Sequence, residues 1–409
     1  MSLQRKSCQL RHCMVVYALY PYYETRVQRE AEALLEAGHD VDVICPRRPD
    51  DAPRDTHRGV NIYRVAKRWR RKEGLLAQLL EYIGFFCLAS LKLAKLHRQR
   101  RYDVVQAHNV PDFLVFTALL PKLTGARVIL DLHDLMPEFY QGRSGQAPDS
   151  PSVRLVLMQE RLCCRFADHV ITVTEHWREA LIQRGVPPEK CSVVMNLADD
   201  RVFQPLPIGR TYSSEGDSRF RLLYHGGMPA RYGLDMILQA VHRLRSQIPG
   251  IHLTLVGGGD QLESLKRLAN ELDLNENHVE FIPGVPVDQL PPLIAAADVG
   301  VVPYHGDAFT ASLLPTKLME YAAMGLPAVV ARTDAISRYF DESMVEFFTP
   351  EDVEGLTLCL LCLYTERERL AELAQGIRKF NERYNWPKES VAYIRMVDRL
   401  AASKGRRDG

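Results

Sequence analysis

"QPLPIGRTYSSEGDSRFRLLYHGGMPARYGLD", residues 204–235, closes one half of the chain and opens the other. From Gln204 to Ser218 it is rich in Pro, Gly and Ser and lacks apolar periodicity, which reads as a linker. From Phe220 a short apolar run ends on a glycine pair, and a helical pattern follows. On both sides of the linker, short β-branched runs alternate with longer helical patterns, as βαβ units and parallel sheets require. Upstream strand candidates are "CMVVYAL", "DVDVIC", "VNIYRV", "YDVVQAH", "RVILDLH", "HVITVT" and "CSVVMN", with helices expected over 26–37, 75–97 and 152–166. Downstream they are "FRLLYHGG", "HLTLVGGG", "VEFIPG", "DVGVVPY" and "PAVVAR". The fold expected is α/β: two Rossmann-like, doubly wound parallel-sheet domains facing a cleft, over residues 1–203 and 219–385. A linker, 204–218, joins them, and a helix and tail, 386–409, follow. Ligands of such sheets sit beyond the carboxyl ends of the strands.

Composition fits a globular protein: 409 residues, 46% hydrophobic, 25% charged, net charge +1. The charge is uneven. Over residues 1–198, 29 Lys and Arg stand against 22 Asp and Glu; beyond that the count is 23 against 29. An anionic surface would therefore meet the first half. Nine cysteines in a long chain do not read as a disulfide framework, and Cys359 and Cys362 sit in an apolar helix-like run as small hydrophobes. With no secretory h-region at Met1–Tyr20, and with Leu75–Leu96 interrupted by Glu81, Lys92 and Lys95, a reducing cytoplasm is expected.

Two turns in the second half suit a phosphate. Gly226 and Gly227 let an anion approach the backbone, and Arg231 stands within reach to fork two hydrogen bonds onto it. The same residues also describe a tight βα turn with an exposed arginine. In "SLLPTKLMEYAAMGLPAVV", residues 312–330, Pro315 suits the first helical position, and Lys317 and Glu320 share one face of the first turn. Free N–H groups and the helix dipole favour a phosphate there, with Lys317 adding a full charge and Glu320 accepting from a ribose diol. The plain alternative is a surface ion pair. "LVGGGDQLESL" lacks the third glycine of a dinucleotide fingerprint, since Leu262 stands there.

In the first half, His133 closes "VILDLH" between Asp131 and Asp134, and His108 closes "DVVQAH". A histidine at a strand's carboxyl end can hydrogen-bond a substrate hydroxyl or orient a leaving group, or it can simply stabilise a loop. Five of the six residues Lys67–Lys72 are basic, around Trp69, ahead of an amphipathic helix; this fits an anionic membrane face, or a solvated loop leading into a core helix. No nucleic-acid-binding module is recognisable.

Taken together, "REAEALLEAGHDVDVIC", "DLHDLMPE", "ITVTEHWREALIQRGVPPEKCSVVMNLAD", "LLYHGGMPARYGLD", "HLTLVGGGDQLESL", "ADVGVVPY", "PTKLMEYAAMGLPAVVA" and the final "YNW" with its helix resemble a family-4 retaining glycosyltransferase of the GT-B fold. The resemblance implies a nucleotide-sugar donor, UDP- or GDP-linked, in the second domain, an acceptor in the first, and a last helix crossing back to the first domain. It implies that Glu320, the second glutamate of an E-x7-E motif, holds the ribose, and that Arg231 and Lys317 neutralise the diphosphate. It further implies that His133 sits by the transferred sugar and that Gly284 and Val285 meet the base. Ser312, followed by Leu313 in the same donor segment, stands where the first glutamate contacts sugar hydroxyls, a departure that bears on the donor sugar and on activity. The glycine pair after the first strand is replaced by "YPYYETRVQRE", where Arg26 is assigned to the acceptor side together with His108.

The reaction expected is sugar transfer with retention, in polysaccharide, lipopolysaccharide or glycolipid synthesis, by a peripheral protein at the inner membrane face. Cations, rather than a metal or a resident cofactor, would offset the leaving diphosphate. A lipid-linked glycan is one acceptor class and soluble acceptors another. The alternatives are a nucleotide-sugar epimerase and a catalytically inactive nucleotide-sugar-binding subunit.

Overall fold

The structure, a computed structural model, describes residues 9–22, 24–67, 75–207 and 219–403. The basic residues after Lys67, the linker from residue 208 and the tail beyond Ser403 lie outside the described residues. Two compact units form: residues 1–196 with 387–409, and residues 197–386. Residues 197–203, assigned by the sequence pattern to the first domain, group with the second unit. The adjoining Leu206 shows why, donating its N–H to Met324 O at 2.8 Å and accepting from Arg378.

Strands of the first unit are β1 Arg11–Val16, β2 Asp40–Arg47, β3 Arg54–His57, β4 Val60–Lys67, β5 Val104–His108, β6 Arg127–Leu132, β7 His169–Thr172 and β8 Cys191–Val193. They form one sheet, ordered β3-β4-β2-β1-β5-β6-β7-β8. Val15, Val43, Val105 and Leu130 are fully buried, because helices cover both faces and the central strands have no wet side. The sheet is not wholly parallel as expected. β3 pairs antiparallel with β4 through a turn at Arg58 and Gly59, whose φ of 46° and 90° give the left-handed geometry that suits a two-residue hairpin. "RDTH" carries no apolar signature, so this edge strand left no trace in hydrophobic patterning.

Strands of the second unit are β9 Arg219–Gly227, β10 Gly250–Gly258, β11 Val279–Ile282, β12 Val299–Val302, β13 Ala328–Ala331 and β14 Glu346–Phe348. All pair in parallel, in the order β11-β10-β9-β12-β13-β14. β14, three residues long, was absent from the sequence reading. In each sheet the chain first builds outward on one side of its first strand and then on the other. The switch points lie between β1 and β5 and between β9 and β12, where ligands of such sheets bind.

Helix Leu75–Arg100 runs three residues past the expected end, because Arg100 reaches back to Asp42 Oδ1 at 2.9 Å. The last helix, Trp386–Ala402, lies on the first unit. Tyr393 Oη donates to Gln106 Oε1 at 2.7 Å, Met195 N–H to Glu389 at 2.9 Å, and His39 meets Asp398 at 3.2 Å.

Candidate active site

At the β9–β12 switch point, β9 and β10 end together, Gly226 opposite Gly257 and Gly227 opposite Gly258. Gly257 has φ 140°, and a Cβ there would lie 2.0 Å from Gly226 O, so only glycine lets the two strand ends close side by side. The loop after β9 turns at Gly233, φ 64°, where a Cβ would meet Pro303 O at 1.9 Å. This contact holds the β9 loop against the end of β12.

Helix Thr316–Met324 starts at this edge, with Pro315 as its N-cap residue rather than at the first helical position. Lys317 turns inward and is 6% exposed, which excludes the surface ion pair. A methyl built on Gly226 would touch Lys317 Cε at 3.5 Å. Lys317 Nζ donates to Tyr304 Oη at 2.9 Å and stands 4.8, 4.8 and 5.0 Å from the ring centroids of Tyr224, Tyr232 and Tyr304. The stacked Tyr232 and Tyr304 rings, 4.5 Å apart, form one wall. Burial lowers the Lys317 pKa to about 7, against the pull of Glu320. Aromatic rings offer a cation only partial compensation for lost water, so an anion at the amine would relieve the burial cost.

Glu320, one turn on, keeps part of its carboxylate in solvent, and its Oε2 lies 3.3 Å from His225 Nε2. Burial, then Lys317, lower His225 to about 3, so it is neutral at pH 7. Arg231 follows the glycine turn in a short 3-10 segment, its guanidinium 5.0 Å above the Phe309 ring, while its carbonyl accepts from His305 N–H at 3.1 Å. Gly284 and Val285 follow β11, and a Cβ on Gly284 would lie 3.8 Å from Gly257 Cα. The structure therefore gathers Gly226, Gly227, Lys317, Glu320 and Gly284 around the ends of β9 and β10. Ser312 is buried and its hydroxyl donates to Phe309 O at 2.9 Å, so it faces the protein, whereas Leu313 is half-buried.

A separate cluster closes β5 and β6 in the first unit. Here the acceptor-side assignments need correction. Arg26 and His108 are buried, 2% and 0% exposed. Arg26 grips Asp131 through Nε at 3.0 Å and Nη2 at 2.9 Å, donates to Val194 O at 2.7 Å, and meets Glu30 at 3.1 Å. His108 Nδ1 lies 3.0 Å from Asp131 Oδ2. Both side chains serve Asp131, because a carboxylate this deep needs donors on every side. His133 is the member that reaches solvent, its Nε2 3.2 Å from Asp131 Oδ2. Burial pushes Asp131 up, but Arg26 and then His133 outweigh it and hold the carboxylate well below its usual range. Burial likewise opposes a charge on His133, yet Asp131 wins and raises its pKa.

His108, Asp131 and His133 each present one ligand atom within 4.8 Å of the others, a metal-like spacing. Both Asp131 oxygens are already on Arg26, whose charge would oppose a cation there, so the donor set fits an imidazole anchor better than a metal. Sequence reading missed Asn109, whose Oδ1 accepts from His133 N–H at 2.7 Å and fixes the loop. It also missed His225 and Tyr304, which look like ordinary strand-end residues. Cys359 and Cys362 are free thiols of helix Val353–Thr365.

Residues 23–196 match the family described as a glycosyl transferase 4-like domain, and residues 219–366 match glycosyl transferases group 1. The chain is a GT-B glycosyltransferase. The enzyme is 33% identical over 146 residues to the GDP-mannose-dependent alpha-(1-6)-phosphatidylinositol monomannoside mannosyltransferase of Mycolicibacterium smegmatis, a match spanning 35% of this chain and 38% of that protein. Over 370 residues it is 26% identical to a colanic acid biosynthesis glycosyl transferase, WcaI, of Escherichia coli K12, covering 85% and 86% of the two. Its fold matches sucrose-phosphate synthase of Thermosynechococcus elongatus with a TM-score of 0.76 at 18% identity, covering 96% and 100%.

Proposed function

We propose that this glycosyltransferase moves a hexose from a nucleoside-diphosphate sugar to a lipid-linked glycan acceptor, with retention at the anomeric carbon. The observation that carries the donor assignment is Lys317, a buried amine walled by three tyrosines at the mouth of a sheet. Its charge and the amino-terminal dipole of helix Thr316–Met324 would stabilise the diphosphate as it leaves. Arg231 would lift off Phe309 to meet the same group, and Glu320, steadied by neutral His225, would hold the ribose hydroxyls. Gly284 and Val285 would receive the base. His133 would face the transferred sugar, its ring fixed by Asp131 and its backbone by Asn109.

The reaction so drawn needs no resident cofactor, since the nucleotide sugar is itself the substrate and fixed cations meet its charge. The lipid-linked acceptor and a place at the inner membrane face draw support from the lipid acceptor in the mycobacterial relative's name and from the basic run Lys67–Lys72. UDP and GDP binding, followed by calorimetry on the enzyme and on Lys317→Met, tests the donor site. Binding unaffected by that substitution would refute it. Acceptor-independent conversion of the donor would instead identify an epimerase.

A further inference from the structure

Three helical segments lie side by side on one face of the first sheet: Leu75–Arg100, Asp112–Leu123 and Pro151–Phe166. Phe86 meets Phe113 at 5.9 Å and Phe116 meets Phe166 at 5.0 Å, which stitches the three into one layer. Their outer faces are apolar where water is expected. Leu79, Leu80, Ile83, Leu88 and Leu91 are exposed on the first, with Leu91 at 70%. Leu119 and Leu123 continue the surface, the latter 76% exposed. Leu155, Met158 and Leu162 complete it.

These are ten of the thirteen large hydrophobic residues exposed among the described residues, gathered on one layer. Scattered exposed leucines need no explanation; a contiguous patch marks a partner. The charges on the same faces choose the partner. Lys95 and Arg98 end the first helix, and Arg154, Arg161 and Arg165 alternate with the apolar residues of the third. Of the acidic residues described on these segments, Glu81 is half-buried, Asp112 is buried, and Glu160 is buried against Arg184. A basic rim around a leucine-rich face complements an anionic lipid surface, with leucines entering the acyl boundary and guanidinium groups on headgroup phosphates. No helix among the described residues is long and apolar enough to cross a membrane.

We propose that the outer faces of these segments form the membrane-docking surface of the enzyme, seated on an anionic lipid bilayer. The inference deepens the membrane-proximal reading above and rests on it for the role such attachment would play. It locates that attachment on folded helices rather than on the basic run Lys67–Lys72 alone.

The test is co-sedimentation of the full chain with vesicles of phosphatidylglycerol and phosphatidylcholine in equal parts, and with phosphatidylcholine alone. Binding to the anionic vesicles should fall at least about tenfold in Leu80→Glu/Leu91→Glu and in Met158→Glu/Leu162→Glu, where glutamates oppose both the acyl core and the lipid charge. Val391→Glu, exposed elsewhere, should bind as the parent does. Nucleotide-induced thermal stabilisation, measured on every variant, reports folding and the donor site separately, so either reading can fail alone. The proposal is overturned if the parent ignores anionic vesicles, if the glutamate variants bind unchanged, or if the substitutions merely split a dimer that never bound lipid.

Discussion

Arg26 and Asp131, 105 residues apart in sequence, meet through two hydrogen bonds of 3.0 and 2.9 Å with neither side chain more than 2% exposed. The pair links helix Thr25–Glu36 to the end of β6, beneath His133. Removing one partner leaves the other charged in a site without water. Asp131→Asn and Arg26→Met should each cost about 3–5 kcal/mol of stability. Denaturant unfolding followed by circular dichroism measures it, and a loss below 1 kcal/mol in both would show that the pair is dispensable.

His133 carries the second prediction. Its folded pKa is raised by Asp131, so protonation at this site favours the folded state. The stabilisation is complete below the ordinary histidine value and is lost as pH rises through the folded one. A proton NMR titration should give a midpoint above about 6.5 for His133, and in Asp131→Asn the midpoint should drop.

Lys317 gives the clearest pH signature. The free protein holds its pKa at about 7, and a bound diphosphate must raise it. Binding above pH 7 then takes up a proton, so UDP or GDP affinity should weaken with rising pH by up to about tenfold per unit. In the unliganded protein the sign is opposite: stability grows with pH between the folded value and that of a free lysine. Calorimetry across pH 7 to 9 in buffers of different ionisation enthalpy reads the proton directly. Lys317→Met should abolish the slope and lower kcat on the order of 10²–10³-fold.

Gly233→Ala tests the loop that carries Arg231. The added methyl would fall 1.9 Å from Pro303 O at a φ of 64° that alanine disfavours. A loss of about 1–3 kcal/mol is expected, with a higher KM for donor. Unchanged donor KM at reduced stability would mean the loop's position does not matter to binding.

Ser312→Glu restores the residue that the E-x7-E pattern leads one to expect. The site is buried and its hydroxyl is spent on Phe309 O, so a carboxylate there would lack both water and donors. Lower thermal stability and no gain in turnover are expected; a more active variant would place this position in contact with donor sugar.

Much of this was legible in sequence because it is local. The glycine pair at 226–227, the proline-headed helix carrying Lys317 and Glu320, and the alternation of strand and helix are written within a few residues of one another. What escaped depends on distance along the chain. Nothing near Arg26 announces Asp131, so it reads as an acceptor-side residue, and nothing near Lys317 announces Tyr304, whose hydroxyl its amine meets at 2.9 Å. Polar β3 and short β14 lack the apolar run by which strands are recognised. In sequence the leucines of helix Leu75–Arg100 fit a membrane face as well as a core helix, because periodicity gives the stripe but not which way it faces.

The second unit is, in covalent terms, an insertion: the chain leaves the first sheet near residue 196 and regains its fold at residue 387. During translation, residues 197–386 emerge and can fold while the earlier unit still lacks the helix that Tyr393 anchors to Gln106. The nascent protein can thus assemble the proposed donor site before its first unit has received the closing helix.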